Sequence, residues 1–436
     1  MIWRRFWTLS SENKEKTAGL AAGCAGNGKM ELLAPAGTIE KLETALTYGA
    51  DSVYMGLEDF SLRANAGNIG YDQYDTLKEI KSRFPGSTFY CTANIFFHNR
   101  DIEALKEKIE LIRPFPFDSF IVSDIGALPI LQKHFPSARF SLSTQANCLN
   151  AESARLYGKM GFDTIILGRE TSLSEIRQIK DANPDLRIEA FVHGAMCMSY
   201  SGRCMLSSHL TGRSANQGDC AHTCRWNYRL ALEEEQRPGV YFPIAEDNGY
   251  TTILSSKDMC MIDHLADLKN AGVDSLKIEG RMKSTYYVAT VTRAYRKAID
   301  ALYDPSVDFK DFRDELFNVS HRPYSTGFFY SDKPVDADDD INIASSPGYM
   351  RDYLFLGTVL DEVRPGIWAV DIKNQIRPGR AVEFIGPDVL SVTDENLKVL
   401  DQDFNVAEHI DHCRTGYLQS SIPLKKGWII RQEVKK

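Results

Sequence analysis

A chain of 436 residues, 43% hydrophobic and 25% charged, is long and apolar enough to bury one large core and a smaller second one, which excludes a disordered or fibrous protein. A formal net charge of −8 excludes a wholesale basic coat for a polyanion, because phosphate contacts need Lys and Arg where the polyanion lies, and it leaves room for a local basic patch. No run reaches the roughly 18 to 20 apolar residues that span a bilayer and the N-terminus lacks a signal-peptide core, so a cytoplasmic protein is expected, in which nine cysteines point to metal, catalysis or burial rather than disulfides.

Residues 1–29 open with Arg4 and Arg5, then turn polar and Gly/Ala-rich, as a peripheral extension would. The run from Gly23 to Met30 falls short of a phosphate loop: no Ser or Thr follows Lys29, and no strand precedes Gly23. Apolar, β-branched runs then predict strands at 31–34, 52–55, 88–93, 119–122, 139–142, 164–167, 188–193 and 275–278. Helical periods predict helices between them, among them 38–48, 102–112, 151–160 and 173–183. Three junctions share one punctuation, Gly49-Ala-Asp51, Gly161-Phe-Asp163 and Gly272-Val-Asp274, in which a glycine closes a helix and the next strand begins at once.

Eight such units predict an α/β fold, a TIM-type (β/α)8-like barrel over residues 30–340, although an open doubly wound sheet would read alike until strand order is known. A long insertion, about 194–274, separates the last two strands. The Asp-rich stretch 332–340 reads as a linker. Short alternating strands at 355–360, 366–370, 380–385 and 428–431 predict a small antiparallel β-barrel domain over 345–436.

Five cysteines gather around the insertion: Cys197, Cys204, Cys220, Cys224 and Cys260, with six, fifteen, three and thirty-five residues between successive members. Thiolates suit iron-sulfur clusters or zinc, and a cluster takes four. The spacing lacks the paired Cys-x-x-Cys knuckles of a zinc ribbon, yet by itself it does not choose between cluster, zinc and simple burial. Small or polar neighbours such as Gly194, Ser199, Gly212, Gly218 and Asp219 suit loops that wrap a cofactor. Cys91 and Cys148 on or beside strands, Cys24 in the extension and Cys413 in the β domain read as structural.

The motifs Glu31-Leu-Leu-Ala-Pro-Ala-Gly37, Tyr48-Gly-Ala-Asp-Ser-Val-Tyr54, His193-Gly-Ala-Met-Cys197, Ser201-Gly-Arg-Cys204, Asn216-Gln-Gly-Asp-Cys220, Cys224-Arg-Trp226, Ser256-Lys-Asp-Met-Cys260 and Lys277-Ile-Glu-Gly-Arg281 together resemble the collagenase-like peptidase family U32, from Glu31 into the C-terminal β domain. Despite the label, the resemblance is closest to the family's prephenate-dependent tRNA uridine 5-hydroxylation proteins. It implies an RNA-modifying enzyme that holds a [4Fe-4S] cluster, hydroxylates a tRNA wobble uridine without oxygen and takes prephenate, a dicarboxylate, as co-substrate. By position it implies Cys197, Cys204, Cys220 and Cys260 as cluster ligands, with Cys224 in reserve. Chain length, the β domain and the segment Ser320-His-Arg-Pro-Tyr-Ser-Thr-Gly-Phe328 favour this tRNA branch. Ribosomal RNA cytidine hydroxylation, a peptidase or collagenase, and a noncatalytic RNA-binding iron-sulfur protein stay open as alternatives. For proteolysis the sequence offers no Gly-x-Ser-x-Gly elbow and no His-Glu-x-x-His helix.

Chemistry in such a barrel sits at the C-terminal ends of the strands. There Glu279, His193 and Arg281 are the candidate catalytic residues, Glu279 or His193 as proton carrier. Arg63, Arg169, Arg281 and Arg322 are candidates for gripping a carboxylate with a planar fork, and Arg225 and Trp226 for binding RNA. These last continue into Tyr228, Arg229, Lys283, Arg293, Arg296 and Lys297, an interleaving that suits phosphates and stacked bases or a solvated helix face. The expected partners are tRNA and a small dicarboxylate, with no membrane; a homo-oligomer or a paralogue partner stays open.

Overall fold

The structure, a computed structural model, describes residues 28–62, 67–197, 199, 203–204, 206–226, 245–247, 250–252, 256–331, 349–377, 381–412 and 415–434. Seven parallel strands come first: β1 Glu31–Pro35, β2 Ser52–Gly56, β3 Thr88–Ala93, β4 Ser119–Val122, β5 Arg139–Leu142, β6 Thr164–Ile166 and β7 Arg187–Ala195. The insertion adds a hairpin, β8 Ala245–Asp247 with β9 Tyr250–Thr252, and then β10 Asp258–Cys260; the eighth barrel strand is β11 Ser275–Ile278. Each barrel strand pairs in parallel with its neighbour, and β11 pairs with both β1 and β7, so the sheet closes. Closure decides between the two expected architectures in favour of the TIM-type barrel.

The outer layer holds α1 Ile39–Thr47, α2 Tyr74–Arg83, α3 Asn99–Ile112, α4 Leu128–His134, α5 Ala151–Lys159 and α6 Leu173–Ala182; α7 Leu206–Thr211 lies in the insertion, and α8 Leu265–Ala271, α9 Thr285–Ala301 and α10 Lys310–Asp314 follow. Side-chain caps start several of these: Thr38 accepts from the Lys41 N–H, Asn150 from Ser153 and Ser284 from Tyr287, while Ser172 and Glu175 cap each other's backbone. Each satisfies a donor that the first helical turn leaves unpaired. At the end of α8, Gly272 takes φ 92°, the left-handed turn that lets the chain enter β11 at once.

The Asp of each punctuation, and Asp118 before β4 in the same way, has a structural duty that periodicity does not reveal. Asp51 accepts from the Leu32 N–H at 2.8 Å, Asp118 from Phe89 at 2.7 Å, Asp163 from Phe140 at 2.9 Å and Asp274 from Ile188 at 2.8 Å. At the N-terminal end of the barrel, each carboxylate thus pairs an N–H at the start of a neighbouring strand and helps set its register.

A second sheet follows the barrel, with β12 Tyr324–Ser325 pairing to β10 between them. It comprises β13 Tyr353–Arg364, β14 Ile367–Ile372, β15 Glu383–Ile385, β16 Val392–Thr393, β17 Lys398–Leu400, β18 Thr415–Gln419 and β19 Ile429–Glu433, all antiparallel, in the order β16-β15-β19-β13-β14-β18-β17. Helix α9 is buried on most of its faces because the barrel packs on one side and this sheet on the other. Arg293 of α9 is therefore no RNA contact: it is buried, donating to the carbonyls of Gly386 and Val389 at 2.8 Å and to Glu315 at 3.0 Å. Arg296 pairs with Asp51 and Asp300, and Lys297 with Asp388, so the expected basic face of this helix serves the fold.

Candidate functional site

At the C-terminal mouth of the barrel lies a cavity of about 420 Å³. Its floor and walls are strand-end side chains: Tyr54 of β2, Thr92 and Asn94 at β3, Ile121 of β4, Ser143 and Gln145 after β5, Arg169 after β6, Phe191 of β7, and Lys277, Glu279 and Arg281 at β11. The cysteine insertion folds over it. Phe96 N–H donates to the Asn216 carbonyl at 3.3 Å, Arg203 donates to the Gln145 carbonyl at 3.3 Å, and Asn216 in turn accepts from the Cys204 N–H at 3.1 Å.

The cations of the wall are held differently. Lys277 is buried against the buried Glu189 at 2.8 Å and lies 4.4 Å from the Tyr54 ring centre, so its charge is balanced from behind. Arg169 donates to the Ala195 carbonyl at 3.0 Å and to Glu279 at 3.4 Å, and its guanidinium lies 4.1 Å over Phe191. Arg281 donates to Ser61 at 2.7 Å, Thr92 at 2.9 Å and Asn68 at 2.7 Å, and these oxygens orient its fork. Gly56 makes room for it, since a Cβ there would stand 2.8 Å from its Nη2. Arg169 and Arg281, with Arg203 and Arg225, outnumber Glu170 and Glu279 around a cavity with apolar and aromatic walls, the chemistry of a site for a small anionic molecule.

Four thiols line the same cavity: Cys197, Cys204, Cys220 and Cys224. Gly194, at φ 107°, turns the end of β7 into this loop; a Cβ there would meet the Glu279 carbonyl at 2.5 Å. The His222 N–H points at Cys220 Sγ, 3.4 Å away. Burial raises the Cys224 thiol above its usual range, Arg225 opposes the rise, and Cys197, Cys220 and Cys204 add to it, so those three thiols sit within electrostatic reach of Cys224. Among the described residues no three His, Cys, Asp or Glu side chains converge on one point as ligands of a single metal ion.

Cys260 stands apart from this group. It is paired with His193 across the antiparallel β10–β7 ladder, its sulfur lies 3.9 Å from the Tyr295 hydroxyl of α9, and burial pushes its thiol up to about 11. Of the expected quartet, Cys197, Cys204 and Cys220 line the cavity together with the reserve Cys224, while the Cys260 sulfur lies on the short strand β10 against the Tyr295 hydroxyl of α9.

His193 is displaced from the mouth as well. Lys277 pairs with Phe191 but Ile278 with His193, so β7 carries one extra residue, a bulge that reverses the alternation of faces. His193 is therefore buried behind the wall among Tyr287, Tyr295 and Tyr324, and of the two candidate proton carriers it is Glu279 that lines the cavity. Arg322 is also buried elsewhere, its fork closed on Asp258 at 2.6 and 3.0 Å, which occupies the face expected to grip a carboxylate. Arg63 lies outside the described residues, as do Cys24, Cys413, Tyr228, Arg229 and the 332–340 stretch. Arg225 lines the cavity, donating to the Met196 carbonyl at 3.4 Å, and Trp226 is half-exposed, anchored to the Ala221 carbonyl at 3.0 Å. Lys277 was the missed member; its signal is a lone charge inside an apolar strand that must face a barrel interior.

Burial, opposed by Asp258, holds His193 down to about 3. The unfolded chain takes this proton near pH 6.5 and the folded chain only far below it, so stability is complete above that pH and is lost as pH falls. Between about pH 7 and pH 5 the expected loss from this group is about 2 kcal/mol. Urea midpoints of the wild type and His193→Gln check this: the variant should lose less stability over that range, and parallel pH profiles would refute the assignment.

Comparison with known proteins adds the family. The model of Peptidase family U32 matches residues 37–339. The chain belongs to peptidase family U32. Relatives of this family include the tRNA hydroxylation protein P1 of Bacillus subtilis (strain 168), 35% identical over 398 residues that cover 88% of this chain and 90% of that one. A 23S rRNA 5-hydroxycytidine synthase of Escherichia coli (strain K12) is 36% identical over 285 residues, 64% of this chain and 41% of its own length. A collagenase of Porphyromonas gingivalis (strain ATCC BAA-308 / W83) is 33% identical over 313 residues, 69% of this chain and 73% of that one. Among the described residues of this family member no helix is long and apolar enough to cross a membrane.

Proposed function

We propose that this chain hydroxylates RNA, converting the wobble uridine of tRNA to 5-hydroxyuridine without oxygen, with prephenate as co-substrate and a [4Fe-4S] cluster held by Cys197, Cys204, Cys220 and Cys224. The observation that carries the reading is a single barrel-mouth cavity lined by four thiols, by Arg169 and Arg281 among four arginines, and by Glu170 and Glu279. The similarity to a tRNA hydroxylation protein over 90% of that protein's length supports the choice of reaction and RNA.

The donor set fits the cluster. Zinc would need its sulfurs about 2.3 Å from one point, whereas in a cluster each thiolate takes a different iron, and the four thiols line one cavity without three of them forming a single-ion site. Held by these four thiolates, the cluster would supply electron transfer. The chain's own residues do the rest: Arg169 and Arg281 grip the carboxylates of the co-substrate, Phe191 and Tyr54 exclude water around it, and Glu279, oriented by Arg169, takes a proton.

Arg169→Lys keeps the charge and loses the fork, so the apparent KM for prephenate should rise roughly tenfold or more with a smaller change in kcat. An unchanged KM would remove Arg169 from the carboxylate site. Mass spectrometry of tRNA nucleosides from a strain deleted for this gene and its paralogues tests the function itself: 5-hydroxyuridine should vanish, and its persistence at wild-type level would sink the reading. A second reading, peptide cleavage, rests on the collagenase relative and on the presence of Cys220 and His222 in one cavity; gelatin hydrolysis by the purified chain that Cys220→Ala abolishes would favour it.

A further inference from the structure

Against Arg225 of the cavity wall stands an aromatic side chain that neither the barrel strands nor the cysteine loop supplies. Tyr349 precedes the C-terminal sheet and is 49% exposed. Its hydroxyl accepts from Arg225 at 3.3 Å, and Lys283 Nζ lies 4.5 Å from the centre of its ring. Its neighbour Met350 exchanges two main-chain hydrogen bonds with His321, at 3.0 and 2.8 Å, which fixes the backbone beside the ring. Arg225 is itself part of the cavity wall. Met282, next to the cavity residue Arg281, and Trp226, next to Arg225, are exposed as well.

We propose that Tyr349 is the stacking residue for a nucleobase flanking the one that enters the cavity; this rests on the RNA reading above. A base drawn into a pocket leaves its neighbours without a stacking partner. An exposed ring restores that stack for any base, because every base has a π-face. Tyr349 meets three requirements of such a platform. It is tied to the wall through Arg225, its backbone is already fixed, which limits the ordering cost of binding, and the adjacent Arg225 and Lys283 complement the phosphates that flank an extruded base. Tyr349 is thus a positioning residue. It brings a segment leading into the second sheet to the mouth of the barrel, so that the RNA would touch both parts of the chain at once.

The test is equilibrium binding of the full-length protein to a stem-loop RNA carrying uridine at the wobble position and 2-aminopurine next to it. Tyr349→Ala should weaken binding at least about fivefold and change the bound 2-aminopurine fluorescence, whereas Tyr349→Phe, which keeps the ring and loses the hydroxyl, should stay within about twofold of the wild type. Wild-type affinity and an unchanged fluorescence signal in Tyr349→Ala would overturn the proposal and leave the RNA reading intact. Equal losses in both variants would also overturn it, by assigning the effect to the Arg225 contact. Failure of the wild type to bind the stem-loop would overturn the RNA reading and this proposal together.

Discussion

Iron and acid-labile sulfide in anaerobically purified Cys220→Ala or Cys224→Ala protein are expected to fall at least tenfold below the wild type, whereas Cys260→Ala should retain both. Even a residue that only supports a ligand is worth about ten- to a hundredfold in metal affinity, so loss of one of four thiolates should do no less. Only the thiolate binds metal. Cys220 and Cys224 share the cavity with Cys197 and Cys204, where bound iron would favour their thiolates. Cys260 is a half-buried thiol pushed up to about 11, beside the Tyr295 hydroxyl and outside the lining of that cavity. Iron loss in Cys260→Ala with retention in Cys224→Ala would restore the quartet read from sequence position.

Glu315→Ala is expected to cost about 3–5 kcal/mol of stability, the penalty for removing one partner of a buried ion pair. Its carboxylate is shared by two buried guanidinium groups, Arg293 of α9 at 3.0 Å and Arg431 of β19, which also reaches Glu383 at 2.8 Å and the Tyr286 hydroxyl at 3.1 Å. Arg293 in turn holds the carbonyls of the 386–390 loop. The loss therefore falls on the junction between barrel and second sheet: the variant should melt several degrees lower and release the C-terminal sheet early in limited proteolysis. An unchanged melting temperature would mean that the junction is held by its apolar contacts, such as Ile385 and Ile429 packed into the barrel core.

The parts of the fold legible in the sequence are those with strong local signals. Strands such as Thr88–Ala93, Ser119–Val122 and Arg139–Leu142 match their expected bounds because a strand buried on both faces is one continuous apolar run between turn residues. Strands β16 and β17, two and three residues long, are too short to show a period, and β18 was not expected either. The site was legible as a set of residue types at strand ends, and less so as an arrangement. A one-residue bulge in β7 moved His193 behind the wall. Asp258, adjacent in sequence to nothing it binds, claimed Arg322. The thirty-five residues between Cys224 and Cys260 carry no information on which face of β10 a thiol takes. In each case the deciding contact is made across the fold, where spacing along the chain is silent.

The most direct measurement returns plasmid-borne variants to the deletion strain and quantifies 5-hydroxyuridine in its tRNA by mass spectrometry. The cavity site predicts that wild type and Cys260→Ala restore the nucleoside and that Cys224→Ala does not. Restoration by Cys224→Ala, or failure of the soluble, folded wild type to restore it, would contradict the assignment of this cavity as the hydroxylation site.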